Sequence, residues 1–96
     1  TNGYLARNPA LPDAVIREMF RTKEAAWYDI AMNTACPVDL MWEIIERGSE
    51  TDRTWLAWNR NLPPDIMKRL ANDPSEGVAR MLSGNPTYLR WKTRGT

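Results

Sequence analysis

The sequence predicts an all-α protein, a solenoid of about three and a half two-helix repeats, and three observations predict it. A short phrase recurs four times, as Leu5-Ala6-x-Asn8, Ile30-Ala31-x-Asn33, Leu56-Ala57-x-Asn59 and Leu82-Ser83-x-Asn85, at intervals of 25, 26 and 26 residues. A proline stands four residues after each of the first three asparagines, at Pro12, Pro37 and Pro63. An aliphatic residue comes three positions later, at Val15, Leu40 and Ile66, and an apolar one four beyond that, at Met19, Ile44 and Leu70. Self-similarity at a period in this range marks stacked units, none of which buries its apolar face alone. The period divides one domain, 1–96, into repeats of about 5–29, 30–55 and 56–81 and a truncated fourth, 82–96.

In chain order, Pro12 and Asp13 open the first helix, with proline in its first turn and an acid near its positive end. Val15, Ile16, Met19 and Phe20 form its apolar stripe, while Arg17, Glu18 and Arg21 face water. Thr22 suits the cap of a shorter second helix over about 23–32 that carries Ala26, Ile30 and Ala31 inward. Repeat two repeats the stripe as Leu40, Met41, Ile44 and Ile45. Gly48 is expected to end that helix as a left-handed cap. Ser49-Glu50-Thr51-Asp52 fits a capping box for the next helix, which runs to about Trp58. Repeat three has Ile66, Met67, Leu70 and Ala71, breaks at Asp73-Pro74 and continues as a short helix through Ser83. In the fourth, Asn85-Pro86 leads to Tyr88, Leu89 and Trp91; Leu89 stands where proline is expected, and this end is expected to cap the stack. The expected core holds Val15, Met19, Ile30, Leu40, Ile44, Leu56, Ile66, Leu70 and Leu82. Asn8 and Asn85 precede proline, which disfavours the α region for them. The recurring asparagines are therefore expected to bond nearby loop backbone, unit upon unit.

Leu70-Ala71-Asn72-Asp73-Pro74 with Val78, and Leu5-Ala6-Arg7-Asn8-Pro9 at the start, carry a family resemblance. With the amphipathic runs between such phrases, the chain resembles the leucine-rich repeat variant family over nearly its whole length. The resemblance implies a right-handed superhelical solenoid of alternating α and 3₁₀ or short α helices, and implies almost nothing about function. One member of that family is an iron–sulfur protein through a separate cysteine-rich segment. This chain has one cysteine, Cys36, so that cluster is not carried over.

The 96 residues are 43% hydrophobic and 9% aromatic, enough for a core that a solenoid assembles repeat by repeat. Net charge is +1, but residues 1–48 hold five basic and seven acidic groups, and residues 49–96 hold eight and five. One cysteine excludes an internal disulfide and fits a reducing compartment. No apolar run suits a signal peptide or a membrane span, so a cytoplasmic location and no membrane partner are expected. The absence of histidine removes the imidazole base and the histidine metal ligand. Cys36, before Pro37, reads as a small half-buried apolar residue, and Glu43/Glu46 and Glu50/Asp52 as helix-surface and cap positions. No glycine-rich phosphate loop appears. No enzyme, catalytic residue, metal, cofactor or small-molecule substrate is expected.

Tryptophan is the unusual feature, at Trp27, Trp42, Trp55, Trp58 and Trp91. Trp42 takes the repeat position of Arg17 and Lys68, and Trp58 that of Arg7, Met32 and Gly84. Trp27 corresponds to Arg53 and Ala79, and Trp55 to Asp29 and Met81. Positions that take Arg or Lys elsewhere do not belong to a core, so Trp42 and Trp58 are expected to be partly exposed, and exposed aromatic clusters mark protein interfaces. The expected function is a small protein–protein interaction module, an adaptor or an inhibitor. It uses Trp42, Trp58, Met32, Trp27 and Trp55, and its partner is another protein or a second copy. The plainer reading of these rings is packing between repeats. The alternative function is nucleic-acid binding through the basic C-terminal half, by Arg90, Lys92, Arg94, Arg60 and Lys68 with Tyr88 and Trp91 interleaved.

Overall fold

The computed structural model describes residues 3–94; Thr1, Asn2, Gly95 and Thr96, the ends of the predicted domain, lie outside the described residues. The described residues contain no strand. They form α1 (Gly3–Ala6), α2 (Asp13–Thr22), α3 (Trp27–Ala31), α4 (Val38–Arg47), α5 (Glu50–Trp58), α6 (Pro64–Ala71), α7 (Glu76–Ser83) and α8 (Pro86–Arg94). Pro12, Pro37 and Pro63 are the N-caps of α2, α4 and α6, with ψ of 147°, 145° and 157°. The ring fixes φ and the extended ψ turns the chain into each helix, so the recurrent proline sets where helices begin. Ser49 caps α5 in the expected capping box, its side chain accepting from Asp52 N–H while Asp52 reaches back to Ser49 N–H.

The odd-numbered helices form one row: α3 packs on α1 and α5, and α5 on α7. The even-numbered helices join that row through their neighbours in sequence, α4 through α3 and α5, α6 through α5 and α7. Between the rows lies the core, where Ile30, Ile44, Leu56, Ile66 and Leu70 are fully buried and Met19, Leu40 and Leu82 nearly so.

A seam of asparagines runs along the row. Asn33 Nδ2 donates to Ala6 O (2.7 Å) and Asn8 O (3.0 Å). One unit on, Asn59 Nδ2 donates to Ala31 O (2.8 Å) and Asn33 O (2.9 Å). Asn85 Nδ2 then donates to Ala57 O (2.8 Å) and Asn59 O (2.7 Å). Each amide oxygen accepts the N–H two residues ahead, from Ala10, Ala35, Asn61 and Thr87 in turn. Each side chain thus closes its own turn, and those of Asn33, Asn59 and Asn85 also tie it to the turn before. Buried amides need such partners, because an unsatisfied one costs about 1–3 kcal/mol. The seam is the loop bonding expected of these residues.

Several expectations are corrected. Val15 is 41% exposed, not core, although its repeat equivalents Leu40 and Ile66 are buried; no described unit precedes α2 to cover it. Thr22 does not cap the second helix: it ends α2, its hydroxyl donating to Glu18 O at 2.9 Å. The chain then turns through Lys23 at φ 59°, ψ 29°, which delays α3 to Trp27. Ala26 is consequently the exposed N-cap of α3, and Ala25 takes the buried place. Gly48 is extended rather than left-handed, at φ −80° and ψ 164°. What requires glycine there is a close approach, since a Cβ would lie 2.5 Å from Ile44 O. Ala71 is exposed, at the last position of α6, with Asn72 as its C-cap.

Candidate interaction groove

The row of odd-numbered helices presents one pair of positions over and over. In the first unit they hold Arg7 and Asp29, paired at 2.6 Å. One repeat on, the same positions hold Met32 and Trp55, and one further Trp58 and Met81. All four of these larger side chains are half-buried. An ion pair at one end of the row is thus replaced along it by thioether and indole.

Trp58 and Met81 line a groove of about 340 Å³, together with Arg60, Gly77, Arg80 and Gly84. Trp58 is the last residue of α5, and the turn at Asn59 brings Arg60 back over it, with the guanidinium carbon 4.8 Å from the ring centroid. Such a contact contributes about 0.5–1 kcal/mol at an exposed site. Met81 rests against the core, whereas Trp58 stands outside it. Gly84 takes the repeat position of Trp58, and its lack of a side chain leaves that side of the groove open.

The other tryptophans do not join this groove. Trp27 stacks on Phe20, centroids 4.3 Å apart and planes 11° from parallel, and its Nε1 donates to Phe20 O at 3.3 Å. With its polar handle used internally, it forms one wall of a separate groove of about 300 Å³ beside Lys23, Arg47 and Asp52. Trp42 is half-buried and packs against the core from α4. Met32 and Trp55 lie along the row between the ion pair and the groove. Of the basic residues, Arg60 belongs to the groove, Lys68 is exposed on α6, and Arg90 and Arg94 line a groove of about 350 Å³ with Leu89 and Thr93. Lys92 Nζ lies 5.8 Å from the Tyr88 ring, which is 5.9 Å from Trp91. Gly77, Met81 and Gly84 are groove residues that the exposed-tryptophan argument did not select. The signal for Met81 was present, in its alignment with Trp55.

Charge pairing separates the two halves. Arg7, Arg17, Arg21 and Arg47 each meet a carboxylate, Arg17 bridging Asp13 on α2 (2.6 Å) and Asp39 on α4 (2.7 Å). The Arg17 guanidinium holds the Asp39 carboxyl below its ordinary range. In the second half Arg53 and Arg69 share the buried Asp73, at 2.9 and 3.4 Å. Burial pushes that carboxyl up, but the Ser75 N–H, the Arg53 hydrogen bond and the charges of both arginines outweigh it, so it titrates below 3.8. Arg60, Lys68, Arg80, Arg90, Lys92 and Arg94 have no carboxylate partner among the described residues. Cys36 is buried, and burial, with Asp39 beside it, pushes its thiol up to about 12. A thiol so rarely ionised is a poor nucleophile.

Among the described residues no helix is long and apolar enough to cross a membrane. Comparison with protein-family models, curated proteins and solved structures finds no match.

Proposed function

We propose that the chain is a protein-binding module on a right-handed superhelical solenoid of the leucine-rich repeat variant type, and that the Trp58–Met81 groove is its contact surface. The carrying observation is Trp58: a large ring outside the core, beneath a guanidinium, on the wall of an open groove. Tryptophan and arginine are the side chains most often found as interface hot spots, where truncation costs 2 kcal/mol or more. Arg60 and Arg80 bring positive charge without a carboxylate of their own, so the groove suits a segment with an apolar side chain flanked by Asp or Glu. Met32 and Trp55 extend the apolar strip toward α1. No catalytic chemistry enters this reading, and the module acts by holding or occluding its partner.

The test is selection of short random peptides on the wild-type chain, followed by titration. Selected peptides are expected to combine an aromatic or aliphatic residue with acids, and Trp58→Ala is expected to weaken them at least tenfold, or about 1.4 kcal/mol, with the melting curve unchanged. Peptides indifferent to Trp58→Ala would overturn the reading.

The unpaired cations of the second half favour one alternative, nucleic-acid binding with Tyr88 and Trp91 as stacking rings. Phosphate-driven affinity falls steeply with salt. Sub-micromolar DNA or RNA binding at physiological salt, lost when Arg90 and Arg94 are both replaced by alanine, would put this reading first.

A further inference from the structure

The residues that α7 and its cap give to the Trp58–Met81 groove are Gly77, Arg80, Met81 and Gly84. They stand at i, i+3, i+4 and i+7 and so share one helix face, about 10 Å long. Glycine closes that face at both ends, and the fold calls for neither glycine. Neither has a positive φ. A Cβ on Gly77 would come no closer than 3.6 Å to Ser75 Oγ, and one on Gly84 no closer than 3.8 Å to Met81 O, which are ordinary contacts. Gly48 differs, because there the Ile44 carbonyl leaves a Cβ no room. Thr51, second in α5 as Gly77 is in α7, carries a side chain, and Trp58 does so at the repeat position of Gly84. The bare backbone at 77 and 84 provides a floor on which another backbone can lie close.

The polar lining has one sign. Trp58 Nε1 and the Arg60 and Arg80 guanidiniums are all donors, and none has a hydrogen-bond acceptor among the described residues. Among those residues no side-chain oxygen lines the groove. The Trp27 groove is different, since Asp52 lines it and Trp27 Nε1 already donates to Phe20 O. An extended peptide in the Trp58 groove would present N–H groups to a lining of donors. The described residues also contain no strand edge for it to join. A helix bonds its own backbone and asks the groove only for side-chain partners. Its carboxylates find them at Arg60 and Arg80.

Resting on the groove reading above, we infer that the bound segment is an acidic amphipathic helix of the partner protein, crossing α7 with its backbone close to Gly77 and Gly84. Its apolar side chain lies against Trp58 and Met81, and an Asp or Glu one turn away on the same face reaches Arg60 or Arg80. Recognition is then of a helical spacing, three or four residues between the apolar and the acidic side chain, and not of composition alone.

The probe is a peptide library on an alanine-based helical framework of about 18 residues, long enough to hold a helix in water and randomised along one face. Binders selected on the wild-type chain are expected to carry that spacing. Gly77→Ala and Gly84→Ala are each expected to weaken them at least tenfold without lowering the melting temperature, and a proline at the centre of the peptide is expected to do the same. Binders weakened by Trp58→Ala but indifferent to both glycine variants would leave the groove reading standing and overturn this inference. So would binders that tolerate the central proline, or a helical library that yields none where short random peptides bind. Binders indifferent to Trp58→Ala would remove the groove reading, and this inference with it.

Discussion

The buried seam and the open groove lie on the same row of helices and follow opposite rules. At the seam the four units all keep asparagine: Asn33, Asn59 and Asn85 each donate twice to the unit before and accept from their own turn, and Asn8 accepts from its own turn. At the groove, the equivalent positions run Arg7, Met32, Trp58, Gly84 and Asp29, Trp55, Met81. No geometric requirement is shared by arginine, methionine, tryptophan and glycine. The repeat therefore does not fix which side chain these positions carry.

The largest expected effect is at the seam. Asn59→Ala removes the hydrogen bonds that Ala31 O and Asn33 O accept from the Asn59 amide and the one that Asn61 N–H donates to it, and is expected to cost about 2–4 kcal/mol in equilibrium denaturation. A loss under about 1 kcal/mol would erase the distinction between seam and surface. The next effect is pH-dependent. Asp73 titrates lower in the folded chain than its ordinary 3.8, so its pairing with Arg53 and Arg69 stabilises the fold above that pH and is lost as the pH falls through the folded value. Asp73→Asn is expected to flatten the acid limb of stability against pH, and an unaltered slope below pH 5 would exclude Asp73 as its source. The smallest effect belongs to the groove. Trp58→Met installs the residue found one unit earlier and is expected to shift stability by under about 0.5 kcal/mol, as a surface change does. A drop as large as that for Asn59→Ala would make Trp58 part of the fold.

The division between seam and groove also explains what was legible in the sequence. Positions under one repeated constraint could be read directly: the asparagine bonding, the capping box at Ser49 and the buried Ile44, Leu56 and Leu70 all follow from period and side-chain chemistry. Positions set by a single local event could not. Lys23 adopts a left-handed conformation that glycine favours, while Gly48, at the equivalent place, is extended and lies too close to the Ile44 carbonyl for a Cβ. Val15 follows the core pattern yet has no described unit before it to cover it. The groove was half legible. Comparing repeats singled out Trp42 and Trp58 together, and added Trp27 and Trp55 to the same binding surface. Only the fold shows that Trp27 spends its N–H on Phe20 O and that Trp42 leans on the core.

The seam has a kinetic consequence. Among the described residues, none of its hydrogen bonds joins positions more than 28 residues apart, and no ion pair spans more than 22. Closing a loop costs entropy that rises with the logarithm of its length, and folding slows as contacts become more distant in sequence. Here the same short closure recurs from unit to unit. The barrier is that of bringing two neighbouring units together, and each docked unit presents carbonyls already in place for the next asparagine.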